Sequence, residues 1–405
     1  ALGLGDSAIR TGLIWLNTFA AVAVVVLGGL RARQVGGRPH AVLAVAALVS
    51  GMLVPYAAHS FGEPLVVAAL AGLCWLCLVE QRRWWTSSPV IGVVALAGAV
   101  GKETMFVSSA LFVAGCLLVA RLDRSERRRR AVAAGVGIAA GVALNLAFNV
   151  FRFGGLKNAH YFRESRPGVG GAAANTVSLV VAPNGGLVWF WLSVVVAVVA
   201  LAVAVVRPRG LARAERLGVA LVLAGFGGGL VSIGMWWGPF GWYSWGPRLL
   251  LAFALPVIIV ALEVFAPGRW SGVGSAASPL RRAGTVAVLG VAVGVLMVPS
   301  LGNVFNRESW NTMQAATIAE RPDCATVSVL DGAPYGPFHE CLMRSAWRTD
   351  EMPMVETLTD LSADDRWWFW ATATTALAAL GLWLVVRHHD LHPDVHPVSG
   401  SETAR

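Results

Sequence analysis

The feature that most limits what this chain can fold into is the length of its apolar runs. Stretches of about 16–22 residues with hardly a charge recur along it, the length that crosses the hydrocarbon core of a bilayer. Only 14% of the 405 residues are charged and 56% are apolar, whereas a soluble domain carries about 25% charged residues. Backbone in hydrocarbon must satisfy its polar groups internally, so such runs predict helices. The expectation is an all-α polytopic membrane protein with about eleven transmembrane helices. They fall near 11–31, 41–57, 63–79, 88–101, 104–121, 131–151, 186–206, 216–236, 248–266, 284–299 and 366–387.

Charge orients these spans. The stretches 31–40, 80–85, 121–130, 207–216 and 266–282, with the tail from Arg387, hold 20 of the 32 basic residues and a minority of the 23 acidic ones. The positive-inside rule places that set in the cytoplasm. The arginine run 127–130 reads as a surface for membrane lipids, and nucleic acid is not an expected partner. The opposite face carries the segments near 1–10, 57–63, 101–106, 152–185 and 236–248, and the long polar segment 300–365. The domain expectation is a transmembrane module over 1–299, a small extracytoplasmic domain over 300–365, a last helix over 366–387 and a cytoplasmic tail over 388–405. Arginine outnumbers lysine 30 to 2, and Ala, Val and Gly dominate, a composition that fits a GC-rich bacterial genome and hence a bacterial cytoplasmic membrane.

Cysteine usage agrees with the orientation. Cys324 and Cys341 lie in the outer segment, where a disulfide is permitted and would staple a domain with little core of its own. Cys74 and Cys77 form a C-x-x-C, but within an apolar run, where they read as small helix residues like Cys116.

The outer boundary gathers the groups that could do chemistry. The stretch WWGPFGWYSWGPRLL, 236–250, sets Arg248 behind Gly246-Pro247 at the start of a span. A guanidinium beside the unpaired N–H groups of a helix start is suited to a phosphate; the plainer alternative is an arginine snorkelling to lipid. Tyr243 and Trp245 frame it, as an interfacial aromatic belt or as walls of a ligand site. Lys102, in GKET, stands at a tight junction between two short spans. His59 and Glu63 lie in AAHSFGEPL, where Glu63 is either an acid favoured at a helix N-terminus or a carboxylate at a reaction centre. Arg163 and Arg166 lie in the basic stretch 149–167, which reads as an interfacial helix able to guide an anionic, lipid-linked molecule. Pro183-Asn184-Gly185-Gly186 reads as a turn feeding the next span, and the tail RHHDLHPDVHP reads as disordered rather than metal-binding.

The motifs FGEPL, GKET, PNGGLVWF and above all SWGPRLLLAFALP resemble the integral-membrane GT-C glycosyltransferases, in the branch of protein O-mannosyltransferases and lipid A aminoarabinose transferases. The resemblance covers roughly residues 10–260. It implies an enzyme that takes a sugar from a polyprenyl-phosphate donor at the outer membrane face and passes it to a hydroxyl on a glycan, protein or lipid acceptor. Carried over, Arg248 would hold the donor phosphate with help from Lys102, and Glu63 would lie near the reaction centre. The family places its key aspartate in the first outer loop. Asp6 stands where the end of that loop would be, and the expectation is that the main catalytic aspartate precedes residue 1. A divalent metal ion is compatible with such chemistry, but no ligand cluster for one is apparent. Rival readings are a transporter or flippase, which would place charges at mid-depth in the spans, and an outer-face ligase or polymerase of polyprenyl-diphosphate glycans.

Overall fold

The computed structural model describes residues 6–57, 63–80, 84–101, 105–156, 168–206, 211–236, 238–240, 248–266, 317, 319–325, 341 and 343–347. The described residues are helical, with no strand among them. The α-helices are α1 (Asp6–Val49), α2 (Leu53–Ala57), α3 (Glu63–Leu78), α4 (Ser88–Gly101), α5 (Phe106–Val119), α6 (Arg124–Phe153), α7 (Val169–Val181), α8 (Leu187–Phe190), α9 (Leu192–Val206), α10 (Arg213–Gly234) and α11 (Leu251–Val264). Short 3₁₀ turns stand at Trp84–Thr86, Arg248–Leu250 and Pro322–Ala325.

Among the described residues, three stretches are long and apolar enough to cross a membrane: Thr11–Arg38, Arg124–Phe153 and Arg213–Gly234. Their outward faces carry the apolar surface that a lipid solvent accepts, with Phe19 65% and Val136 64% exposed. This is a multi-pass arrangement. α4 has the expected bounds, 88–101, and α3 ends one residue before the expected 79, whereas α5 is shorter than the expected 104–121. α4 and α5 have 14 residues each, about 21 Å at 1.5 Å per residue, against a hydrocarbon core of about 30 Å. The expected spans 284–299 and 366–387 lie outside the described residues.

Two expected spans are broken, and the breaks meet. The first helix runs on through Arg38, beyond the expected loop start, and turns at Gly37, whose φ of 76° only glycine adopts readily. The expected span 41–57 is interrupted between Val49 and Leu53, and the span 186–206 at Trp191. The Trp191 ring occupies the place a Cβ on Gly51 would need. Its indole N–H donates to the Ala47 carbonyl at 3.1 Å, and the Ser193 hydroxyl donates to the same oxygen at 3.0 Å. Each break thereby supplies the other with hydrogen-bond partners. A further difference is α7, a helix within the segment 152–185 that was expected to be an outer connection.

α3 and α11 form the centre. α11 packs against α1, α3, α9 and α10, and its residues from Leu251 to Val260 are all buried. Around this pair, small residues bring helices to backbone contact, as lipid-embedded helix packing favours. A Cβ on Gly115 of α5 would lie 2.7 Å from the Gly218 carbonyl of α10. A Cβ on Gly137 of α6 would collide with the Gly92 carbonyl of α4, while one on Gly135 meets nothing within 4 Å. Gly137→Ala is therefore expected to lower unfolding stability by about 1–3 kcal/mol through forced separation of α4 and α6. Gly135→Ala should leave it unchanged or raise it by up to about 1 kcal/mol through helix propensity. Thermal unfolding of both variants in detergent distinguishes the two effects.

Candidate functional site

Of the residues singled out from the sequence, the structure brings Glu63 and Arg248 together. Glu63 opens α3 ahead of Pro64, whose ring suits the first helical turn. Arg248 opens the 3₁₀ turn that leads into α11. Arg248 Nε lies 3.6 Å from Glu63 Oε1, with side chains 8% and 15% exposed. That separation is an ion pair beyond hydrogen-bond distance. Each helix start adds about half a positive charge, so these four groups, one guanidinium, one carboxylate and two helix N-termini, sum to about +1. An anion is the complement of such a site.

The neighbouring chain turns toward the same place. Gly101, at the end of α4, packs so closely on Val66 of α3 that a Cβ there would lie 2.7 Å from Val66 Cγ2. Asn145 of α6 fixes that helix end by donating to the Ala99 carbonyl at 2.7 Å. Lys102 follows Gly101 in the sequence and lies outside the described residues, as do His59, Arg163, Arg166, Tyr243 and Trp245. Asp6 is the first residue of α1; its side chain is not among those described. Among the described residues, no group of three or more His, Cys, Asp or Glu side chains is placed to hold a metal ion.

At the other ends of the same helices the charges are structural. Arg31 of α1 donates to both carboxylate oxygens of Glu263 in α11, at 2.8 and 2.9 Å, and to the Leu78 carbonyl of α3 at 3.0 Å. His40 Nε2 pairs with the Leu262 carbonyl at 2.7 Å. Arg130 corrects the reading of residues 127–130 as a lipid surface: it is fully buried and donates to the carbonyls of Leu76 and Val79, at 2.7 and 2.6 Å. Glu126, one turn away on α6, pairs with it at 2.8 Å and also contacts Arg129. Arg127 reaches the Ala120 and Leu122 carbonyls beyond α5. Arg128 and Arg129 of that run remain exposed.

The described residues of the segment 300–365 dock on α7 and the turn after it. Cys324 and Cys341 are disulfide-bonded, as their compartment predicted, while Cys74, Cys77 and Cys116 are buried free thiols. Asn184, in the turn between α7 and α8, donates from its backbone to the Ala346 carbonyl at 3.0 Å and from Nδ2 to the Ser345 carbonyl at 3.1 Å. Gly185 in that turn is covered by Phe240, whose ring fills the place of a Cβ. The sequence reading took 183–186 as a helix-start turn and missed Asn184 as a docking residue. The available signal was a polar side chain beside long apolar runs, where an unbonded amide is costly.

No protein-family model, curated protein or solved structure matches this chain. The family resemblance of its motifs therefore bears only on what is proposed below.

The Glu63–Arg248 geometry makes a prediction of its own. Glu63→Gln leaves a buried guanidinium among two helix N-termini and is expected to cost about 1–3 kcal/mol. Adding Arg248→Gln should recover part of that loss, giving a coupling energy of at least about 0.5 kcal/mol in a double-mutant cycle of thermal unfolding. Strict additivity would mean that the two charges do not sense each other.

Proposed function

We propose that this protein is a membrane glycosyltransferase, moving a sugar from a polyprenyl-phosphate donor to a hydroxyl on a glycan, protein or lipid acceptor at the outer face of a bacterial cytoplasmic membrane. The observation that supports this reading is the convergence of Glu63 and Arg248 on one site with net positive charge, at the N-terminal ends of two buried helices. The resemblance of SWGPRLLLAFALP to GT-C enzymes agrees with it, and so does the rich aromatic stretch around Arg248.

The chemistry asks little beyond placement. The bond between the sugar's anomeric carbon and the phosphate oxygen breaks, and the acceptor oxygen forms the new bond to that carbon. Arg248 holds the phosphate and balances the charge it gains as it leaves. Glu63, at 3.6 Å from the guanidinium, is close enough to take the acceptor's proton at its carboxylate.

Labelled sugar transfer from synthetic polyprenyl-phosphate sugars tests the reading. Arg248→Ala is expected to lower kcat/KM by about 10²–10³ and to weaken donor binding. Glu63→Gln should lower kcat by about 10²–10⁴ while donor binding holds or tightens, because a carboxylate beside the phosphate is gone. Transfer that survives both changes would remove these residues from the mechanism. Transfer from diphosphate-linked glycans alone would favour the ligase reading.

A further inference from the structure

Residues 345–347 and the described residues 234–240, which precede Arg248 in the sequence, rest on one support, α7 and the turn after it. Asn175 of α7 donates from Nδ2 to the Gly234 and Trp236 carbonyls, at 2.9 and 3.2 Å, and so holds the point where the chain leaves α10 for Arg248. Three residues along, Ser178 of α7 accepts from the Trp347 indole N–H at 2.9 Å. The turn that follows α7 seats Phe240 on Gly185 and holds residues 345 and 346 through Asn184. Within the outer segment, the disulfide joins Cys324 to Cys341, and the Ser345 hydroxyl donates to Thr317 Oγ1 at 2.9 Å. The described residues 319–325 and 343–347 are thus clasped together through these two links. Asn184 is 1% exposed and sits between the two loads, with the clasped segment on one side and Phe240 on the other.

We propose that Asn184 is a positioning residue of the Glu63–Arg248 site, keying the disulfide-clasped outer segment to the turn that seats Phe240. Loosening the segment then loosens the stretch that presents Arg248, although Asn184 touches no reacting group. The proposal extends the anion-binding reading of Arg248, and its first readout needs no ligand.

The test compares the full chain with Asn184→Ala and Trp347→Phe in lipid nanodiscs. Trp347 is 46% exposed, and its replacement removes only the bond to Ser178, so it serves if Asn184→Ala fails to fold. In hydrogen exchange, both variants are expected to speed exchange about tenfold at 343–347 and also at 236, 238–240 and 248–250, with exchange in α3 and α6 unchanged. Faster exchange confined to 343–347 would overturn the keying, as would no change anywhere. The second readout is affinity for farnesyl phosphate, expected to weaken about three- to tenfold in the variants. Unchanged affinity beside a wild type that binds would overturn the link to Arg248. A wild type that does not bind farnesyl phosphate would sink the transferase reading, and the exchange pattern would still decide the role of Asn184.

Discussion

A helix that ends inside protein leaves carbonyls that water cannot reach, and each costs free energy until something donates to it. α3 and α11 both end this way, at Leu78, Val79 and Val264, all buried. Arg31, Arg130 and His40 close those ends with side-chain donors from α1 and α6. Cations there also face the negative ends of the helix dipoles. The two helices therefore run side by side in one direction, with their far ends locked. Their near ends are consequently held in register too, and that register is what places Glu63 against Arg248.

The contrast between the two ion pairs separates support from site. Arg31 and Glu263 share two hydrogen bonds of normal length, with the carboxylate 3% exposed. A pair so completely engaged has little capacity left for a ligand, and breaking it would leave a buried charge. Glu63 and Arg248 stand farther apart, and the Glu63 carboxylate is more open than that of Glu263, at two helix starts whose dipoles favour a further negative charge. Rigid elements behind such a pair are what a binding site for a charged headgroup requires.

Much of this was legible in the sequence, for identifiable reasons. Apolar run length gave the helical class. Glu63-Pro64 and Gly246-Pro247-Arg248 announced helix starts, and compartment alone predicted the Cys324–Cys341 bridge. The misses share a cause: hydropathy measures apolar content and not continuity. It joined 41–57 across Gly51 and 186–206 across Trp191, although those two residues interrupt helices in order to fit each other. It also passed over α7, which is apolar but only 13 residues long and carries Asn175, Thr176 and Ser178 among its apolar positions. Composition could not tell Arg130, buried against carbonyls, from Arg128, which is exposed.

Those polar residues are what suit α7 to its place. An amide in an apolar setting bonds strongly to whatever carbonyl it meets, since no water competes. Asn175 and Ser178 project from one helix, a turn apart, and so reach two different partners, the end of α10 and Trp347. A more apolar helix would cross more readily but could bind neither. The two polar side chains set into this short apolar helix are thus what let it join Trp347 to the end of α10.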